Sequence, residues 1–178
     1  KNSLTQADII GKMLQEKTKK IGIPLVTYAE EMSCNHGMHL LMHGDTVLAN
    51  EVTMLGNIGT RITPYYVKNF IEDWHLKMRY VHHGENKVRF NMFEPIKQAD
   101  IDWAQNLFQT RNEFIVDSII SMRGDKIAGA ESLKSYLMAG NHFYGPKAAE
   151  LGLIDGVKTP DAHFKEYFKG ELFTIEEP

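Results

Sequence analysis

Apolar residues first recur at a helical period between Thr5 and Lys20, where Ile9, Ile10, Met13 and Leu14 share one face and Gln6, Lys12, Glu16 and Lys19 lie largely away from it. Gly22 supplies a stop. After Pro24 the pattern changes to a short continuous run, Leu25-Val26-Thr27-Tyr28, which predicts a buried strand. The stretch from Met32 to Gly44 fits neither period. Ser33-Cys34-Asn35-His36-Gly37 reads as a tight turn and Met38 to His43 as a short helix. Val47-Leu48-Ala49 predicts a second strand, and Gly56-Asn57-Ile58-Gly59 a loop bracketed by glycines.

The second half continues the alternation. Pro64 to Trp74 reads as a helix, with proline near its first position. Met78, Tyr80 and His82 alternate and predict a strand over Lys77–His82. Asp100 to Met122 is the longest predicted helix, with Trp103, Leu107, Phe114 and Ile115 as its apolar stripe. Phe143-Tyr144 and Leu153-Ile154-Asp155 read as short strands. Pro146–Leu151 and His163–Phe173 read as short helices. Strands alternating with helices predict an α/β fold with parallel pairing, read as one domain over residues 1–178.

Composition narrows the partners. The chain is 43% apolar and 24% charged with a net charge of −3, which gives no reason to expect nucleic acid or anionic lipid. The single cysteine, Cys34, excludes an intrachain disulfide. No apolar run is long enough to span a bilayer.

Four blocks, in order, carry a resemblance. Gly22 to Tyr28 looks like a strand leading into a nucleophile turn. Met32-Ser33-Cys34-Asn35-His36-Gly37-Met38 stands where A-A-S-G-G-Y would stand, with Asp45 to Ala49 following as A-D-x-I-x-A. Gly56 to Gly59 is similar to G-S-I-G. Tyr144 to Asp155 resembles Y-x-G-x-x-A-x-x-x-G-L-x-D. This ordered set resembles the SppA/SohB-type signal peptide peptidase family of serine-lysine peptidases. The resemblance implies a ClpP/crotonase-like fold, parallel strands with outer helices, of which this chain holds the C-terminal two-thirds and lacks the first strands. It also implies a serine nucleophile and a lysine general base that works because its ammonium is desolvated. Lys87 matches that lysine, although Asn86 replaces the usual preceding aromatic.

The departures point away from catalysis. Counting back ten positions from Asp45 places Asn35 where the family has its serine, and an amide has no hydroxyl to deprotonate. His36 replaces the next glycine, so His36, Gly37, Gly56 and Gly59 read as the remnant of an oxyanion region. The upstream glycine-rich oxyanion element has no counterpart. The reading is therefore a pseudoenzyme with the degenerate dyad positions Asn35 and Lys87, serving as a structural subunit. The alternatives are a displaced nucleophile, Ser33 or Cys34, with Lys87 or His36 as base, or a peptide-binding module that uses the old cleft by β-augmentation. His36, His39 and His43 have helical spacing that can hold zinc, but no acidic or cysteine ligand joins them at a characteristic spacing. Hence neither a metal nor any other cofactor is expected. The partners expected are other protein chains, one completing the sheet, with membrane proximity arising only through them. An organellar complex, for instance mitochondrial, suits such a recruited part.

Overall fold

The computed structural model describes residues 3–127 and 129–168. These group into two compact units, one built from residues 3–59, 113–127 and 129–168 and the other from residues 60–112.

The first unit opens with helix α1, Leu4–Ile21. The Ser3 hydroxyl caps it by accepting from Gln6 N, and Gly22 closes it at φ 72°, its N–H bonded to Lys19 O. The face that α1 buries differs from the sequence expectation. Ala7 and Gly11 are buried, whereas Ile9, Ile10, Met13 and Leu14 are exposed. Small residues one turn apart let the neighbouring helix approach closely, and that contact turns the larger side chains outward.

Two strand pairs follow, each interrupted by a step. β1 (Val26–Ala29) leads after two residues into β2 (Met32–Cys34), and β3 (Thr46–Ala49) leads into β4 (Met54–Gly56). β1 pairs with β3 in parallel, and β2 pairs with β4 in parallel, in two separate sheets. Thr53, fully buried, pins the step: its hydroxyl donates to Ala29 O at 3.0 Å and accepts from Asn50 N at 3.0 Å. Between β2 and β3 runs the short helix α2, His36–Leu41.

Later segments complete both sheets. Helix α4, Gln98–Arg123, enters the first unit at Glu113, and there its buried positions are Ile115, Val116, Ile119 and Arg123. Trp103, Leu107 and Phe114 of the predicted stripe are exposed. Helix α5 (Ala130–Met138) precedes β5 (His142–Phe143), which pairs antiparallel with β4. Helix α6 (Gly145–Glu150) leads to β6 (Gly156–Val157), parallel to β3. Thus the strand predicted at Leu153–Asp155 lies slightly later, because Leu153 and Ile154 enter the core as a turn. Helix α7, Pro160–Phe168, ends the described part; the predicted helix over His163–Phe173 lies beyond it from residue 169 on. The core joins Met38 and Met42 of the α2 segment, Val47 and Leu55 of the strands, Ile119 of α4 and Leu137 of α5.

The second unit holds helix α3, Lys68–Asp73, and the first half of α4. Helix α3 begins four residues later than Pro64, because Val67 N is tied to Met92 O at 2.9 Å. Residues 77–82 form no strand. Their alternation is real, but no neighbouring segment pairs with them, and Met78, Tyr80 and Val81 are exposed. A strand without a partner has no ladder to stabilise it. Tyr80 and His82 instead stack on one another, ring centroids 5.8 Å apart. Arg89 organises this unit, with its guanidinium over the Trp103 ring at 5.1 Å and bonded to Asp100 at 2.5 Å.

Candidate functional site

The segment that the periodicity could not place is a constrained turn in the first unit. β2 runs directly into α2 with one residue between them, and that residue is Asn35, at φ 52° and ψ −111°. A side chain with a Cβ is strained there, and such strain gathers where a structure holds a side chain in a set position. Serine hydrolases use a strand–turn–helix of this kind to lift a nucleophile clear of its sheet. Neighbours hold the turn. Asn35 N donates to Gly56 O at 2.9 Å, continuing the β2–β4 ladder, and Asn35 O accepts from His39 N at 3.2 Å, starting the helix.

The side chain at the apex is also fixed. Asn35 Nδ2 donates to Gly59 O at 2.7 Å. Its Oδ1 is buried and has no partner among the described residues. Three of the sequence-predicted positions, Asn35, Gly56 and Gly59, therefore meet through two hydrogen bonds. His36 and Gly37 follow as the first residues of α2, and His36 is buried. Lys87 belongs to the second unit, in a 3-10 turn over Glu85–Val88, and is exposed.

Neither proposed substitute nucleophile occupies the apex. Ser33 and Cys34 both lie within β2, ahead of it. Ser33 is buried. Burial pushes the Cys34 thiol above its ordinary pKa, which holds it as the unreactive thiol, and its Sγ faces Met54 O at 3.9 Å. The strain at position 35 gives a test. Asn35→Gly is expected to be more stable than Asn35→Ala by about 1–2 kcal/mol, since both lose the amide bond and only glycine relieves the backbone. Urea denaturation of the two variants reads this difference; equal stabilities would mean the turn is unstrained.

The loop Gly56–Gly59 was legible as glycine-bracketed, and its reason is now physical. Gly56 has φ 93°, and a Cβ on it would lie 2.3 Å from Asn141 O. The Tyr144–Asp155 block has a structural role. Its last residue, Asp155, accepts from Val47 N at 2.8 Å and binds the Arg123 guanidinium through both oxygens, at 2.9 and 3.1 Å. Arg123 itself was missed; only its place on the buried side of α4, one turn after Ile119, could have marked it.

Two curated relatives are sodium/proton antiporters named NhaA. The chain is 23% identical over 160 residues to that of Brucella abortus (strain 2308), covering 88% of the chain and 21% of the relative. It is 26% identical over 148 residues to that of Brucella melitensis biotype 1, covering 83% and 19%. The chain thus spans about a fifth of the length of these relatives. Among the described residues no helix is long and apolar enough to cross a membrane. The family model for peptidase family S49 matches residues 17–171, taking in both sheets, the Asn35 turn and the Arg123–Asp155 lock, and the chain belongs to that family.

Proposed function

We propose that this chain is a catalytically silent S49-fold subunit that works by binding other protein chains. One observation carries the reading: the strained apex between β2 and α2 holds Asn35, whose amide is bonded to Gly59 O and offers no proton or lone pair suited to acyl transfer. The Cys34 thiol, held protonated by burial, supports it.

The binding role rests on the surface of the first unit. β1 lies at an edge of its sheet among the described residues, and Ile9, Ile10, Met13 and Ile23 are exposed nearby in sequence. An unpaired edge accompanied by apolar side chains suits another protein chain that adds a strand. A second reading has one specific observation in its favour. A groove of about 290 Å³ is lined by Tyr28, Ser33, Gly37 and Leu40, next to that same strand. It suits an extended peptide that is held without being cut.

Fluorophosphonate labelling separates these readings from an active enzyme. The protein is expected to remain unlabelled under conditions that label an active S49 peptidase. Stoichiometric labelling that Ser33→Ala removes would overturn the proposal. Saturable peptide affinity, lost in Gly37→Val and without turnover, would favour the groove.

A further inference from the structure

His39 on α2 and His43 in the turn just after it acquire, through the fold, the carboxylate that the local sequence did not offer. Asp8 lies on α1, 31 residues before His39, and its Oδ1 is 3.3 Å from His39 Nε2. His43 completes the group: Asp8, His39 and His43 each offer one ligand atom, all within 4.8 Å of one another. We propose that these three residues form a zinc site that staples α1 to α2.

Four features of the geometry argue for an ion. The donor set is two imidazoles and one carboxylate, which suits a borderline divalent metal. Bonds of about 2.0–2.1 Å place tetrahedral ligand atoms roughly 3.3 Å apart, so the Asp8–His39 spacing already fits, and the widest separation must close by about 1.5 Å. The His43 ring is prepared for coordination. The bond from His43 Nδ1 to His39 O, at 3.0 Å, requires the proton on Nδ1 and leaves Nε2 bare, the arrangement by which outer hydrogen bonds orient metal-binding histidines. His39, only 1% exposed, has one nitrogen on Asp8 and the other, Nδ1, buried with no partner among the described residues.

The surroundings fix the ligands without filling the site. Gly11, one turn after Asp8, allows the His43 ring to press on α1; a Cβ there would lie 2.4 Å from it. Lys12 takes the other oxygen of Asp8, Oδ2, at 2.8 Å and extends into solvent, which leaves Oδ1 for the cluster. The Asp8 side chain is 23% exposed, so water can supply the fourth ligand from that side. Three protein ligands and one water would close a tetrahedron around an ion that joins the first helix to the one carrying the Asn35 apex.

Metal-depleted protein titrated with zinc chloride and followed by calorimetry tests this. One zinc per chain is expected, with a rise in melting temperature. Asp8→Asn keeps size and partial exposure and is expected to weaken binding more than about a hundredfold while the protein stays folded. His43→Gln should do the same. Replacing the exposed His82 and His83 by alanine should leave binding unchanged. Cobalt in place of zinc should give the intense visible absorption of a tetrahedral site. The proposal fails if no stoichiometric zinc binds, if binding survives both Asp8→Asn and His43→Gln, or if it is lost with His82 and His83.

Discussion

Asp155→Ala is expected to destabilise the fold by about 3–5 kcal/mol, because it leaves a buried guanidinium without its counter-charge. The Arg123 side chain is 2% exposed, and two of its bonds end on Asp155 with a third on Gly152 O at 3.1 Å. Asp155 also accepts from Val47 N, so its loss frees a donor in the middle of β3. Lys126, at 2.7 Å but half exposed, contributes less. Arg123→Met should cost less than Asp155→Ala, since it removes the buried charge itself and replaces it with an apolar chain of similar length. Urea midpoints read the order; an Arg123→Met variant weaker than Asp155→Ala would refute the unpaired-charge explanation.

The same lock gives an acid sensitivity. Desolvation works to raise the Asp155 pKa, but the bonds from Arg123, Lys126 and Val47 N outweigh it and hold the carboxyl at about 2, against an ordinary 3.8. A carboxyl depressed in the folded state stabilises it above the unfolded pKa and loses that contribution as pH falls through the folded one. Stability that depends on Asp155 should therefore be fully present above about pH 4 and decline towards pH 2. In Asp155→Asn the loss of stability between pH 5 and pH 2.5 should be smaller than in the parent; an identical loss would place the acid-sensitive group elsewhere.

Gly56→Ala is the second large expected effect, about 3 kcal/mol from strain and overpacking together. Position 56 combines φ 93° with a backbone carbonyl, Asn141 O, 2.3 Å from where the methyl must go, and the Phe143 ring at 2.6 Å. Neither obstacle is a flexible side-chain tip, so relief requires β4 and β5 to part. Because Gly56 O holds the Asn35 N–H, the apex should loosen with it. Amide exchange at Asn35 is expected to quicken in Gly56→Ala. Gly59→Ala is the control: a Cβ there meets nothing within 4 Å, and its cost should stay below about 1 kcal/mol. Equal costs at the two glycines would contradict the close-approach argument.

Much of the fold was legible where the pattern was long or the punctuation strong. α1, α4 and the strands β1 and β3 fall within a residue or two of the periodicity. What sequence could not show was which face of a helix would find a partner. The apolar side of α1 remains open because Ala7 and Gly11 make the closer contact, a choice that depends on α2. β2 and β4 were missed because three-residue strands carry no period of their own and exist through their pairing. The alternation at residues 77–82 misled for the opposite reason, a strand pattern with nothing to pair with. At the candidate site, family spacing pointed to Asn35, and the fold gives that residue φ 52°, ψ −111° and a bond to Gly59 O. Asp8 could not be found beside His39 and His43, because α1 and the α2 segment, separated by the strands β1 and β2, bring them together.

The central claim is that the apex of an S49 fold is occupied by a residue that cannot attack a carbonyl. Its most direct test is turnover of a broad peptide library followed by mass spectrometry, with the parent compared to Ser33→Ala and Cys34→Ala. The account predicts that the parent produces no cleavage above a no-protein control and that neither variant differs from it. Cleavage by the parent that disappears in Ser33→Ala or Cys34→Ala would show that the nucleophile has moved back along β2, and would contradict it.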